Sequence, residues 1–150
     1  METRKVFEET EMLDNKLKEL NKKRKEINLG FAKMIEVCPH EIVFKFNDNS
    51  SRKMLIDKYF CPACGKALQI SGENNIENSP FKESRVIPLN NLSLLGTNED
   101  YQTIRNEVFS NYDMYYDPNA NIDELSKRVE GLLVERQYDF LSEKRLLKKR

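Results

Sequence analysis

Residues 2–37 carry an apolar side chain at every seventh position and contain one glycine and no proline. A second row, four residues after each member of the first, completes a heptad seam in which threonine and arginine take two positions. The seam consists of Val6, Thr10, Leu13, Leu17, Leu20, Arg24, Ile27, Phe31 and Met34. Glu and Lys crowd the other faces, as is usual for solvated flanks. The pattern predicts a long N-terminal coiled-coil helix, which Pro39 ends.

We expect this seam to be buried against another helix. The partner is either the same helix of a second chain or residues 122–147 of the same chain. Arg24 favours a homodimer, because the stem of an arginine can pack in a two-helix interface while its charged head reaches water.

A strand-like pattern follows the helix. Within residues 41–47, Ile42, Phe44 and Phe46 occupy alternate positions and so share one face of a strand, and residues 53–60 form a second β-branched and aromatic run. The polar residues 48–51 between them are typical of a turn. We therefore expect a β-hairpin, with a third short strand at residues 67–70.

The sequence after the third strand predicts a linker that is followed by helices. Residues 71–96 begin with Gly, Asn, Glu and Ser and contain short apolar runs, which indicates a linker or docking segment. Thr97 and Asp100 resemble a capping box, which opens a helix extending to about Tyr112. Asn121 then caps a final helix. The apolar stripe of that helix is predicted to contain Ile122, Leu125, Val129, Leu132, Arg136 and Phe140.

Every soft metal ligand lies in one short stretch. Cys38 and His40 precede the predicted hairpin and Cys61 and Cys64 follow it, and the sequence has no other cysteine or histidine. Three thiolates and one imidazole form the Cys₃His set that closes a tetrahedron around Zn²⁺ in structural sites. A closed tetrahedron leaves no position for a substrate. We therefore expect one structural Zn²⁺ per chain and no zinc-dependent catalysis.

The second ligand pair has the form Cys-Pro-x-Cys-Gly-Lys at residues 61–66. The proline and glycine shape a tight turn with N–H groups directed at sulfur, and Lys66 offsets the negative charge of the centre. The stretch resembles the knuckle of zinc ribbons and rubredoxin-like modules, over residues 38–70. The first knuckle departs from that pattern, because Cys38-x-His40 replaces Cys-x-x-Cys and the imidazole must reach the metal from a shorter turn.

Together these features predict an α+β protein with four parts. They are an N-terminal coiled-coil helix (2–37), a zinc-ribbon-like hairpin module (38–70), a linker or docking segment (71–96) and a C-terminal helical region (97–150).

Composition limits the class of function. Lys plus Arg and Asp plus Glu number 25 each in 150 residues, so no net charge draws the chain to nucleic acid or to a membrane. The start lacks the apolar run of a signal peptide, and no apolar stretch is long enough for a membrane span. We expect a cytoplasmic protein, in which clustered cysteines bind metal rather than form disulfides. Abundant Asn, Lys, Glu and Ile suggest a bacterial or phage genome.

The sequence lacks the signatures of an enzyme. It has no glycine-rich phosphate-binding motif and no nucleophile elbow, and its one histidine is assigned to the metal. Deaminases place a glutamate two residues after a His or Cys ligand and a proline before Cys-x-x-Cys. Here Ile42 stands two residues after His40, and Phe60 precedes Cys61. We expect no catalytic activity.

The charged and aromatic residues of the sequence do not identify the binding partner. Residues Lys22–Lys25 and Lys148–Arg150 are basic runs, which we interpret as solvated helix faces in preference to phosphate contacts. Residues 71–120 carry eight acidic and three basic side chains. Five aromatic residues of that segment either form a protein interface or cover the core. They are Tyr101, Phe109, Tyr112, Tyr115 and Tyr116.

The favoured function is that of a non-enzymatic, zinc-stabilised adaptor or regulatory protein. It acts through protein–protein contacts of helix 2–37, by homodimerisation, by binding another protein, or by both. One alternative is a nucleic-acid-binding zinc-ribbon regulator that uses Lys22–Lys25. Another is a phage or mobile-element inhibitor of a host protein. No membrane partner is expected.

Overall fold

The computed structural model describes residues 2–48, 56–71, 76–91, 94 and 96–148. Its elements in chain order are helix α1 (Thr3–Val37), strands β1 (Ile42–Asp48), β2 (Ile56–Phe60) and β3 (Ala67–Ser71), a 3₁₀ turn (Ile76–Asn78), strand β4 (Arg85–Leu89), and helices α2 (Asn98–Ser110), α3 (Tyr112–Tyr115) and α4 (Ile122–Lys148). The predicted α+β class, with a long N-terminal helix, a small sheet and C-terminal helices, is confirmed. The chain divides into two compact units, which we call the helical unit (Met1–Cys38) and the sheet unit (Pro39–Arg150).

The helical unit is built from α1, 35 residues long and described throughout, in which no residue is buried. The apolar members of the heptad seam keep between 47% and 65% of their surface exposed. The helix stops at Val37, because a residue before proline is driven out of the helical region, and Cys38 is extended with φ −70° and ψ 130°. The long helix is confirmed, whereas its coiled-coil pairing and dimerisation stay predictions.

The sheet unit contains a four-stranded sheet of order β3-β2-β1-β4. β1 and β2 are antiparallel, as are β2 and β3, so the predicted hairpin and third strand are confirmed. β2 begins at Ile56, and the predicted strand residues 53–55 and turn residues 49–51 lie outside the described residues. β1 is central, and its face bearing Ile42, Phe44 and Phe46 is fully covered.

Residues 71–96, predicted to be a linker or docking segment, contribute strand β4 to the sheet. Residues 85–89 pair in parallel with β1, and Ile87 lies opposite Phe44. The strand contains Pro88, which cannot donate a ladder hydrogen bond and therefore suits the edge position that β4 occupies. Residues 92, 93 and 95 of the predicted docking run lie outside the described residues.

The C-terminal helices cover one face of the sheet and form the main core with it. The buried members of this core are Ile42, Phe44, Phe46, Phe60, Ile87, Leu89, Leu94, Ile104, Val108, Tyr115, Leu125, Val129 and Leu133. α4 therefore buries Leu133, not the predicted Leu132, which is partly exposed. The buried stripe of α4 packs with the sheet, and both predicted partners of the α1 seam, a second chain and residues 122–147, stay predictions.

The predicted helix caps are confirmed. The Asp100 amide donates to Thr97 Oγ1 at 3.3 Å, and the Thr97 amide donates to the Asp100 carboxylate at 3.1 Å. Asn121 Oδ1 accepts from the Asp123 amide at 3.0 Å and from the Glu124 amide at 3.4 Å. These bonds satisfy amides that would otherwise lack partners in the first turns of α2 and α4.

The aromatic residues near α2 and α3 divide into two groups. Tyr115 is buried and the Tyr101 ring stacks on Phe60 at 4.4 Å, so these two serve the core. Phe109 is 84% exposed and Tyr112 is 58% exposed, which leaves them on the surface. Within the described part of the chain, no helix combines the length and the apolar character needed to cross a membrane.

Candidate metal centre

The sheet topology brings the two ligand pairs to one place. β1 runs antiparallel to β2, with Phe44 opposite Phe60, so the start of β1 and the end of β2 meet at the same end of the sheet. Cys38 and His40 directly precede β1, and Cys61 and Cys64 directly follow β2. One ligand atom from each of these four residues lies within 4.8 Å of all the others. The cluster is therefore able to hold a metal ion.

The first ligand pair is shaped by the end of α1 and a sharp reversal at His40. The Cys38 amide donates to the Met34 carbonyl at 3.0 Å, which completes the last turn of the helix. His40 has a φ of +49°, in the left-handed region that histidine enters more readily than most residues. The imidazole Nδ1 lies 3.5 Å from Cys64 Sγ. The Cys-x-His spacing is therefore sufficient for the imidazole to reach the thiols.

The second ligand pair lies in the loop that joins β2 to β3. The Gly65 amide donates to the Cys61 carbonyl at 2.9 Å, and the Cys61 amide donates to the Lys66 carbonyl, also at 2.9 Å. Gly65 has a φ of +82°, which glycine adopts without the steric cost that a Cβ would bring. These two bonds close the predicted knuckle turn around the two thiols.

The cluster is sheltered from water. His40, Cys61 and Cys64 are buried, and Cys38 is partly buried. Burial lowers the pKa of His40 below its ordinary value, and the positive charge of Lys66 lowers it further. Both effects favour the neutral imidazole, which is the form that binds a metal.

Residues 81–85 support His40, and sequence reasoning did not identify them. The Phe81 ring, itself fully buried, meets the imidazole edge-on at 5.1 Å between centroids. Ser84 Oγ donates to the His40 carbonyl, and the Arg85 amide donates to the Glu41 carbonyl at 2.8 Å. Only the parallel pairing of β4 with β1 brings this segment to the ligands, and no local motif signals a contact across more than 40 positions.

Across the described residues, Cys38, His40, Cys61 and Cys64 are the one group of Cys, His, Asp and Glu residues placed to hold a metal ion. Comparison with protein families, with curated proteins and with solved structures finds no match to this chain.

Proposed function

We propose that the cluster binds one Zn²⁺ ion through Cys38 Sγ, His40 Nδ1, Cys61 Sγ and Cys64 Sγ. Zinc bond lengths of about 2.3 Å to sulfur and about 2.0–2.1 Å to nitrogen give tetrahedral edges of about 3.8 Å between sulfurs and about 3.6 Å between sulfur and nitrogen. The distance of 3.5 Å between Cys64 Sγ and His40 Nδ1 fits such an edge. The soft donor set disfavours Ca²⁺ and Mg²⁺, which prefer oxygen ligands.

The proposed zinc is structural. Four protein ligands fill a tetrahedron and leave no open position for a substrate or an activated water. The ion joins the start of β1 to the loop after β2, which is a place where a metal can stabilise a small sheet. The one histidine of the chain belongs to the cluster, so no second imidazole is available for acid–base chemistry. These observations support a non-enzymatic protein.

The exposed seam of α1 is the single observation that carries the proposed role as a protein-binding adaptor or regulator. An apolar row spanning almost 30 residues, from Val6 to Met34, is rarely left in water by a protein that works as an isolated chain. The basic run Lys22–Lys25 lies on the same helix, but residues 3–37 have only two more basic than acidic side chains. A helix of such low net charge fits a protein partner better than the phosphate backbone of a nucleic acid.

Fluorescence anisotropy tests this choice of partner. Labelled duplex DNA and single-stranded RNA are titrated with the zinc-loaded protein over a salt series, beside a variant with Lys22→Glu, Lys23→Glu and Lys25→Glu. We expect dissociation constants no tighter than about 10⁻⁴–10⁻⁶ M at physiological salt, the range of non-specific contact. Nanomolar binding that the charge-reversed variant loses would replace the adaptor role with that of a nucleic-acid-binding regulator.

Cobalt exchange tests the geometry of the site. A Co²⁺ ion in a tetrahedral site with thiolate ligands absorbs visible light strongly, whereas octahedral Co²⁺ absorbs weakly. We expect the strong tetrahedral spectrum after exchange, and its loss when Zn²⁺ is added back. A weak octahedral spectrum would contradict the proposed four-ligand site.

A further inference from the structure

We propose that the seam of α1 pairs with α1 of a second copy of this chain, and that the two helices run antiparallel. This inference rests on the proposed role of α1 in protein binding and goes further by identifying the occupant and its direction.

The charges of α1 are separated along its length. Residues 6–15 contain four acidic and no basic side chains, whereas residues 16–25 contain six basic and one acidic side chain. A parallel pair in register places like charges beside like charges over both segments. An antiparallel pair places the acidic segment of each helix toward the basic half of the other, which lowers the electrostatic energy of the pair.

One antiparallel register covers the whole seam. It places Leu17 opposite Leu20 of the second copy at the centre and Val6 opposite Phe31 of the second copy at both ends. In this register Thr10 lies opposite Ile27, and Thr3 lies opposite Met34. Every apolar seam residue, each about half exposed or more in the single chain, then has a partner. With a rise of 1.5 Å per residue, the paired region is about 50 Å long.

Arg24 distinguishes the two directions most clearly. In the parallel pair it faces Arg24 of the second copy inside the seam, where two like charges repel. In the antiparallel register it packs its stem against Leu13 of the second copy, and its guanidinium lies next to Asp14, which follows Leu13 directly. The two-fold axis repeats this pair. Lys16 then flanks Lys23 of the second copy, an unfavourable contact at the exposed margin, where water and salt screen it.

Mass measurement is the first test of the pairing. Light scattering on the zinc-loaded protein at micromolar concentration is expected to give about 35 kDa, twice the 17.7 kDa of one chain. A variant with Leu17→Asp and Leu20→Asp is expected to be monomeric and to keep its metal. Asn15→Asp adds a charge to the outer face of the same helix and is expected to stay dimeric.

A double-mutant cycle measures the Arg24–Asp14 contact. Arg24→Glu alone is expected to raise the dimer dissociation constant about tenfold, since it places two carboxylates together, and Asp14→Arg alone to raise it by a similar factor. The two changes in one chain restore opposite charges, and we expect a dissociation constant within about fivefold of the original. Lys22→Glu in place of Arg24→Glu is the matched control and is expected to show no coupling with Asp14→Arg.

Lysine cross-linking determines the direction of the helices. Lys5 and Lys33 are about 42 Å apart along one helix but nearly level between antiparallel helices in the proposed register. Equal amounts of ¹⁴N-labelled and ¹⁵N-labelled protein are mixed, cross-linked with a short lysine-reactive reagent and analysed by mass spectrometry. We expect mixed-isotope links between Lys5 and Lys33 and none that join two copies of Lys33.

The outcomes separate this inference from the proposed function. Mixed-isotope links between two copies of Lys33 would overturn the antiparallel direction. A monomer that carries its metal would overturn the second copy as occupant and leave another protein as the partner of α1. A dimer with the expected links but without bound zinc would support the pairing and contradict the proposed metal site.

Discussion

Helices α1 and α4 carry the same kind of apolar stripe and have opposite surroundings. No residue of the α1 stripe is buried, whereas α4 buries Leu125, Val129 and Leu133 in the core of the sheet unit. Polar contacts also hold α4 in place, since Ser126 Oγ donates to the Pro88 carbonyl and Arg136 forms an ion pair with Glu99 at 3.0 Å. A periodic stripe therefore indicates that a helix has a face to cover, but it does not indicate what covers that face.

The two units consequently depend on different interactions. The sheet unit has its own core and contains three of the four candidate metal ligands, so its stability is a property of one chain. A helix with no buried residue draws little stability from tertiary packing, and α1 gains most from a partner. Changes in the sheet unit should therefore alter folding of the chain, and changes in α1 should alter association.

The largest expected effect comes from removing a metal ligand. Cys64→Ser is expected to abolish metal binding and to lower the free energy of unfolding of the sheet unit by about 5 kcal/mol, less than the roughly 10 kcal/mol typical of modules with no other core. Hydrogen exchange measured by mass spectrometry should show lost protection in β1–β3.

The control for that prediction lies in the same loop. Ala63→Ser introduces the same residue type at an exposed position that is not a ligand, and it should change stability by less than about 0.5 kcal/mol. Equal effects of the Cys64→Ser and Ala63→Ser changes would contradict the role of Cys64 as a ligand.

The next largest effect is expected when a leucine is removed from the buried stripe of α4, and the same change in the exposed stripe of α1 serves for comparison. Leu133→Ala removes a fully buried side chain and is expected to cost about 2–5 kcal/mol in chemical denaturation. Leu20→Ala removes a side chain that is 62% exposed and should change the stability of the monomeric chain by less than about 0.5 kcal/mol. The same Leu20→Ala change should weaken self-association. A large loss of monomer stability from it would mean that the seam is covered within the chain.

Two glycine substitutions are expected to have smaller effects on stability, and these effects have opposite signs. Gly96 has a φ of +64°, and a Cβ there would lie 3.2 Å from Cγ of Phe46, so Gly96→Ala is expected to cost about 1–3 kcal/mol. Gly30 lies within α1, and a Cβ added there would meet no neighbouring group within 4 Å, so Gly30→Ala is expected to favour the helix by about 1 kcal/mol. Thermal denaturation checks the first change, and slower hydrogen exchange around residue 30 checks the second.

The smallest effect concerns one hydroxyl group in the sheet unit. Glu107 Oε1 accepts from Tyr115 Oη at 3.2 Å and from Arg128 Nε at 2.6 Å. Burial raises the pKa of Tyr115 and the Glu107 carboxylate raises it further, so the hydroxyl stays protonated and donates. Tyr115→Phe is expected to cost about 0.5–1.5 kcal/mol in denaturant unfolding. Tyr112→Phe, at an exposed ring, should change stability by less than about 0.5 kcal/mol.

Local patterns predicted most of the elements of this fold. The helix of residues 3–37, the strand β1, the Thr97–Asp100 capping box and the Asn121 cap each depend on neighbouring residues, and the structure contains all four. The four candidate ligand residues were identifiable because their chemistry is rare in the chain, and the hairpin between the pairs indicates that they meet.

Features set by distant contacts could not be read from the sequence. β4 is a strand because it pairs with β1, and its Pro88 argues against a strand when the segment is considered alone. The choice of Leu133 over Leu132 in α4 depends on how that helix is rotated against the sheet. Phe81 and Ser84 support His40 only after β4 has joined the sheet.

Metal analysis of the intact protein tests the central claim most directly. The protein is prepared without chelator, and its zinc content is measured by elemental mass spectrometry against protein concentration, for the natural chain and for the Cys64→Ser and Ala63→Ser variants. The account predicts one zinc per chain in the natural protein and in Ala63→Ser, and none in Cys64→Ser. Well under one equivalent of zinc in the natural protein, in a sheet unit that remains folded, would contradict it.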